Sequence, residues 1–342
     1  MTLLSALTGD PEVEALLSDA AQLDAMLAFE RALAEASAET GWIGEEAATA
    51  IGQAIDGYEP DWPGLEAGMA QDGVVVPALV KQLKAQLPEP HRAALHKGAT
   101  SQDVTDTALM LQLARIFDVY EGRLTALLDQ LDALAKEHGQ RELMAHTRMQ
   151  VALPTTWGAK LASWSEPLRR QLQAITSLRR SLLVIQLGGP VGDRASFGEH
   201  GNAIAAKMAQ RLDLGLATPW QATRDPIIAL GGLLTQITGA LGKLGVDVTL
   251  LAQNEIAAVR LEGGGGSSAM AHKSNPVNAE VLVALARVNA GLSGTLAQAQ
   301  LHENERSGAA WTLEWLTLPA MLVNTGASLR LAGNLLQQLR LA

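Results

Sequence analysis

The chain contains no cysteine. That excludes disulfides and thiolate catalysis, and it fits a reducing cytoplasm, the expected location. Aromatic residues make up only 4% of the 342 positions. Strand-type alternation is almost missing; Val74-Val75-Val76, ended by Pro77, is the conspicuous β-branched run. There is no excess of positive charge either. The 26 Lys and Arg against 36 Asp and Glu give a net charge of −10. This argues against a nucleic-acid partner but leaves room for a local basic pocket. The first seven residues lack a basic segment followed by a long apolar one, so no secretory signal is expected. The longest uncharged apolar stretch, 226–242, reads as a buried helix and not as a membrane span. The helical pattern runs on past Lys243 and Asp247, and Gln236 with several glycines interrupts its apolar surface.

What is present is helix-forming: Ala, Leu, Gln, Glu and Arg dominate, and 48% of residues are apolar. Up to residue 95, short helices alternate with Gly and Pro breaks, which predicts an N-terminal helical domain over 1–95. Residues 96–342 then form a central long-helix bundle carrying a glycine-rich loop at 263–280. Its helices are expected over about 104–138, 154–185, 226–260, 276–303 and 310–340. Leu109, Leu113, Ile116, Leu124, Leu127, Leu131 and Leu134 mark the apolar stripe of the first. Five helices of such length imply an elongated all-α bundle. The third is apolar nearly all round and rich in glycine, so it must be covered on every side, which points to a helix-mediated oligomer.

Three clusters have the residue types for chemistry. In the loop, Gly263 to Gly266 are followed by Ser267, Ser268, Lys273, Ser274, Asn275 and Pro276, with Glu280 beyond. Four glycines are expensive to order, so a mobile loop is expected. Ser274 or Asn275 would cap the next helix, Pro276 would fit its first turn, and Lys273 beside that helix start would make an anion site. Ser267 or Ser268 is a candidate proton-exchanging hydroxyl. The plainer reading is a glycine linker with an ordinary cap. Another cluster runs from His96 through Thr100, Ser101 and Asp103 to Thr107. Ser101 would cap the first long helix, its plainer role, while the hydroxyls could instead hold a carboxylate and His96 could transfer protons. The remaining cluster contains His146, Thr147, Arg148 and Gln150 before Pro154. The planar fork of Arg148 suits a carboxylate. A surface ion pair for Arg148 and a polar turn for Thr147 and Gln150 are the plainer readings. Gly242-Lys243-Leu244 is no P-loop, the glycine run follows a helix and not a strand, no HExxH occurs, and Ser267 lies in no nucleophile elbow.

In this order and on long helices, the three clusters resemble the fumarase/aspartase superfamily. Gly266-Ser267-Ser268-x-Met270-x-x-Lys273-x-Asn275-Pro276-x-x-x-Glu280 is similar to its signature. His96-x-Gly98-x-Thr100-Ser101-x-Asp103 and Thr147-x-x-Gln150-x-x-x-Pro154 are similar to its other two blocks. The resemblance implies a homotetramer whose active sites are shared between chains, a small polycarboxylate substrate and no cofactor or metal. It implies Ser267 as general acid/base with Ser268 adjacent, and His96 as a further catalytic residue supplying positive or hydrogen-bonding character. Thr100, Ser101, Thr147, Arg148, Gln150, Lys273 and Asn275 would bind carboxylates, and Glu280 would orient the loop lysine or a histidine. Within the superfamily, Arg148 at a position where the lyases carry histidine, Pro219-Trp220 with Arg224-Asp225, and Glu305-Arg306 followed by Trp311, Glu314 and Trp315 resemble the cycloisomerase branch. Those enzymes add a substrate carboxylate to an alkene to close a lactone. A β-eliminating lyase of the adenylosuccinate, argininosuccinate or aspartate type is the alternative, and a non-catalytic protein on the same scaffold is a third reading. Two departures stand out: Ala271 replaces the usual proline, and little sequence follows the fifth helix for the superfamily's small C-terminal domain, which is expected to be reduced or absent.

Overall fold

The computed structural model describes residues 2–266, 268–270 and 273–342. Before residue 95 lie α1 (Ser5–Thr8), α2 (Pro11–Leu16), α3 (Asp19–Glu39), α4 (Glu45–Asp56), α5 (Trp62–Asp72) and α6 (Val76–Gln86). Several begin where the sequence supplies a cap. Asp10, Ser18 and Asp61 accept the N–H groups of Val13, Ala21 and Gly64, filling donors that a helix start leaves unpaired. The β-branched run forms no strand; Val76 opens α6 with Pro77 in its first turn.

The long elements follow. α7 (Ser101–His138) leads into a hairpin of β1 (Glu142–Thr147) and β2 (Gln150–Thr156), and α8 (Trp157–Leu182) returns along α7. After α9 (Gly201–Arg211) come α10 (Asp225–Leu251), β3 (Val259–Leu261), α11 (Val277–Gln298), α12 (Gly308–Gln338) and β4 (Leu339–Leu341). The expected long-helix bundle is therefore present, with two small antiparallel ribbons added. The helix expected over 226–260 ends at Leu251 instead. Ala257 turns into the left-handed region at φ 46°, and Val259–Leu261 then pair with Leu339–Leu341. Tertiary pairing overrides helix propensity at both chain segments.

α10 forms the spine, with Ile227, Leu230, Leu234, Ile237, Leu241, Leu244 and Val248 buried. It is the helix, among the described residues, long and apolar enough to cross a membrane, and 56% of its most apolar stretch is buried within the chain. Its glycines bring α11 close: a Cβ on Gly245 would stand 2.5 Å from the Ala279 carbonyl oxygen, and one on Gly242 2.7 Å from Ala286 Cβ. Gly232 and Gly239 of the same helix face open space.

One ion cluster ties α7, α10 and α12 together. Arg224 is 1% exposed. Its Nη1 and Nη2 donate to Asp106 at 2.7 and 3.1 Å, and its Nε and Nη2 donate to Glu314 at 2.8 and 2.5 Å. Burial alone would lower the guanidinium pKa, but the two carboxylates raise it. Burial pushes the Glu314 carboxyl up against the pull of Arg224, and the negative charge of Asp106 adds to the rise. Replacing only the cation, as in Arg224→Met, leaves two acids buried without a counter-charge and is expected to cost about 3–5 kcal/mol. Replacing all three residues by apolar ones should cost far less. Denaturant midpoints compare the two variants, and an Arg224→Met midpoint equal to wild type would show that the cluster clamps nothing.

Candidate active site

The first cluster forms where α7 begins. Thr100 is the N-cap, and Asp103 closes a capping box with it; the Thr100 N–H donates to Asp103 Oδ2 at 3.0 Å. Ser101, expected as the cap, is the first helical residue. The reason lies in the spacing: Thr100 has an acid three residues on, whereas Ser101 has Val104 there. The Asp103 carboxylate also accepts the N–H groups of Gly188 at 2.7 Å and Gly189 at 2.9 Å, and the Gln186 amide at 3.1 Å. Burial pushes its carboxyl up to about 6, against the pull of those donors. One buried acid thus fastens the 186–189 segment over the helix start. Arg194 secures the same segment from beyond, donating to the carbonyls of Leu187 at 2.8 Å and Ala217 at 2.6 Å.

His96 lies beside this start with φ 60°. Its Nδ1 is 2.6 Å from Glu30 Oε1 on α3. The Lys97 ammonium stands 3.9 Å above the Trp42 ring and donates to the Trp42 carbonyl. Arg306 reaches the same end of α7, where its Nε donates to Gln102 Oε1 at 2.8 Å. Sequence reasoning missed Glu30 altogether, because nothing local marks a residue 66 positions from its partner.

The second cluster is the hairpin. Thr147 and Gln150 pair across it, and Arg148 with Met149 forms the two-residue turn, at φ 48° and 66°. Both central residues are left-handed, the backbone of a type I′ turn, which usually takes Asn-Gly. Thr147, Arg148 and Gln150 are exposed in the single chain. Arg148, His146 and Lys160 line an open cleft of about 640 Å³ between the hairpin, α8 and α10.

The third cluster is the glycine loop. Its neck is closed by paired backbones: Gly265 N–H donates to Asn275 O at 2.9 Å, and Asn275 N–H returns to Gly265 O at 2.8 Å. The Asn275 side chain donates to Gly266 O at 3.2 Å. Asn275 and Ser274 therefore do not cap α11, whose N-cap is Pro276 without a side-chain bond. Glycine is needed here for close approach, since a Cβ on Gly264 would collide with Ser274 and one on Gly265 would lie 2.5 Å from Val277. Ser268 and Lys273 are exposed. Glu280 is exposed in the first turn of α11, and no ion pair joins it to Lys273 among the described residues. Ser267 and Ala271 lie outside the described residues, as does His272.

The single chain brings the second and third clusters to one end of the bundle and leaves the first at the other. The 38 residues of α7 extend over about 57 Å at the usual rise per residue. The hairpin follows the far end of α7. The loop is tied to that same end, where Glu262 N–H donates to Gln338 O at 2.9 Å and Arg141 bonds the Ala342 carbonyl. The arrangement offers two half-sites: hydroxyls, amides and His96 at one end; arginine, lysine and serine at the other.

Residues 10–291 match the family model described as lyase, and the chain belongs to that family, with the fumarase/aspartase-type fold. Among its relatives, the 3-carboxy-cis,cis-muconate cycloisomerase of Pseudomonas aeruginosa is 39% identical over 334 residues, covering 96% of this chain and 73% of that protein. The protein of the same name from Acinetobacter baylyi is 36% identical over 329 residues, covering 93% and 72%. The nitrosuccinate lyase of Streptomyces davaonensis is 36% identical over 349 residues, covering 98% and 73%. The crystal structure of 3-carboxy-cis,cis-muconate lactonizing enzyme from Pseudomonas putida matches with TM-score 0.92 and 36% identity, covering 99% of this chain and 77% of that one.

Removing the Asp103 carboxylate strands several buried donors at once, each worth about 1–3 kcal/mol when unpaired. Asp103→Ala is expected to speed amide exchange at Gly188 and Gly189 at least tenfold, with Asp103→Asn intermediate because one acceptor oxygen becomes a donor. Unchanged exchange would mean that the segment is held elsewhere.

Proposed function

We propose that this chain is a 3-carboxy-cis,cis-muconate cycloisomerase. The observation that carries this reading is the match, over more than nine-tenths of the chain, to enzymes of that name. Arg148 supports it from the site. At a hairpin tip, a permanently charged fork can bind a carboxylate but cannot shuttle a proton near neutral pH.

The reaction needs no leaving group. One substrate carboxylate oxygen bonds to an alkene carbon, the π pair moves toward the carbon next to another carboxylate, and that carbon takes up a proton. The product is the γ-lactone 4-carboxymuconolactone, an isomer of the substrate. Holding the nucleophile inside the substrate supplies much of the barrier reduction through proximity. The remaining demand is charge: the intermediate spreads negative charge onto a carboxylate, which preplaced donors stabilise. Lys273, Asn275, Thr100, Ser101, Thr147, Gln150 and Arg148 are assigned to carboxylates, His96 to a hydrogen-bonding cation, and Ser267, with Ser268 adjacent, to the proton. Glu280 is assigned to orienting the loop. No cofactor or metal takes part in this scheme.

Two half-sites about 57 Å apart along α7 require more than one copy. We assign the working form to a homotetramer in which sites combine the α7 start of one chain with the hairpin and loop of others. The open face of α10 at Gly232 and Gly239 supports helix packing between copies. A soluble, cytoplasmic enzyme acting in aromatic catabolism fits this reading.

The β-elimination alternative keeps one specific support, the similarly identical nitrosuccinate lyase. An ultraviolet assay with 3-carboxymuconate, run beside nitrosuccinate and adenylosuccinate, separates the two. Loss of the muconate absorbance with lactone formed is the expected outcome; turnover of a lyase substrate alone would replace the reading. Ser267→Ala should lower kcat at least ~10²-fold with the assembly intact. Co-expressing Ser267→Ala with His96→Asn, each nearly inactive alone, should restore about a quarter of the sites in randomly mixed symmetric oligomers. Absence of any recovery would place both residues in one chain's site.

A further inference from the structure

Glu30 sits on the face of α3 turned to the core, beside Met26, Phe29 and Leu33, and its side chain is 0% exposed. Its Oε1 meets His96 Nδ1 at 2.6 Å, while Oε2 has no hydrogen-bond partner among the described residues. Withdrawing a carboxylate from water costs free energy that one hydrogen bond does not return, and an apolar residue would serve this core better. The backbone around the histidine is also unusual. His96 is left-handed, and so is Gly98, at φ 83°, where a Cβ would stand 2.8 Å from the Phe197 ring. Strain of this kind persists where the surroundings enforce it and clusters at functional sites.

We propose that Glu30 is a positioning residue of the first half-site: it holds the His96 imidazole by Nδ1 and so presents Nε2 as a fixed N–H donor to a substrate carboxylate. The role rests on the cycloisomerase reading given above. With Nδ1–H directed at Glu30, a neutral ring would offer Nε2 as an acceptor and repel a carboxylate; the imidazolium donates from both nitrogens. Burial opposes that charge. The charge and hydrogen bond of Glu30 outweigh it, Asp103 on α7 adds to them, and Lys84 on α6 works against them, so the ring's pKa is raised. The neighbouring Lys97 ammonium is drawn away over Trp42. Glu30 thus supplies, from behind, the charge that keeps His96 a donor near neutral pH.

Glu30→Gln keeps the shape and removes the charge. The first readout is the NMR titration of the His96 ring, identified by the signal lost in His96→Asn. In the wild type it is expected above the ordinary value of about 6.5, and in Glu30→Gln it should fall by about one unit or more. The second is kinetic: the KM of Glu30→Gln for 3-carboxymuconate should rise about tenfold at pH 8 and return toward wild type at pH 6, with kcat little changed, because protonation restores the donor. A variant that had merely loosened the fold would be impaired at both pH values. Equal titration midpoints in the two proteins overturn the proposal. If Glu30→Gln does not fold, the wild-type titration decides alone: a ring titrating at or below the ordinary value overturns the proposal, and one above it supports it. If the wild type does not turn over the muconate, the cycloisomerase reading fails while the titration still judges the Glu30–His96 pairing.

Discussion

The distance fixed by α7 governs everything else in this molecule. Thr100 and the Arg148 hairpin are joined by one uninterrupted helix of 38 residues, and no loop movement shortens about 57 Å of α-helix. Polar residues collected at its two ends therefore cannot meet within one chain. α7 is the longest element of the bundle; α8, α10, α11 and α12 have 26, 27, 22 and 31 residues. The spine helix meets α11 closely through Gly242 and Gly245, yet leaves Gly232 and Gly239 open.

Charge is distributed with the same logic. The chain is acidic overall, but its buried acids near the α7 start are each committed to an internal partner. Asp106 and Glu314 hold Arg224, Asp103 collects three N–H groups of the backbone, and Glu30 faces His96. This buried negative charge orders the donors around the α7 start. Net charge alone could not show this, because it averages acids that shape a pocket with acids that face water.

Helix starts were legible because their signals are local. The breaks before residues 226, 276 and 310 fall within two residues of Asp225, Val277 and Gly308. Ends were less legible: α10 stops early because Ala257 reverses the chain and β3 finds β4, a partner some 80 residues away that no window of sequence contains. The hairpin went unseen for another reason. Both of its faces are largely exposed in the chain, so no apolar alternation forms, and its turn is Arg-Met where a glycine would have advertised it. Thr100 as N-cap was available in principle through the acid three residues on. Glu30 was not, since only the tertiary packing of α3 brings it to His96.

The glycine loop shows how a composition signal can have two causes. A run of four glycines suggests freedom, because glycine loses the most entropy on ordering. Yet Gly264 and Gly265 lie so close to Ser274 and Val277 that any side chain would displace them. Asn275 locks the neck from both its backbone and its amide. The lysine at 273 and the serine at 268 thus lie just beyond a neck whose backbone is pinned. At Gly264 and Gly265 the glycine run therefore answers a need for close packing at the neck, and composition alone could not separate that need from a need for freedom.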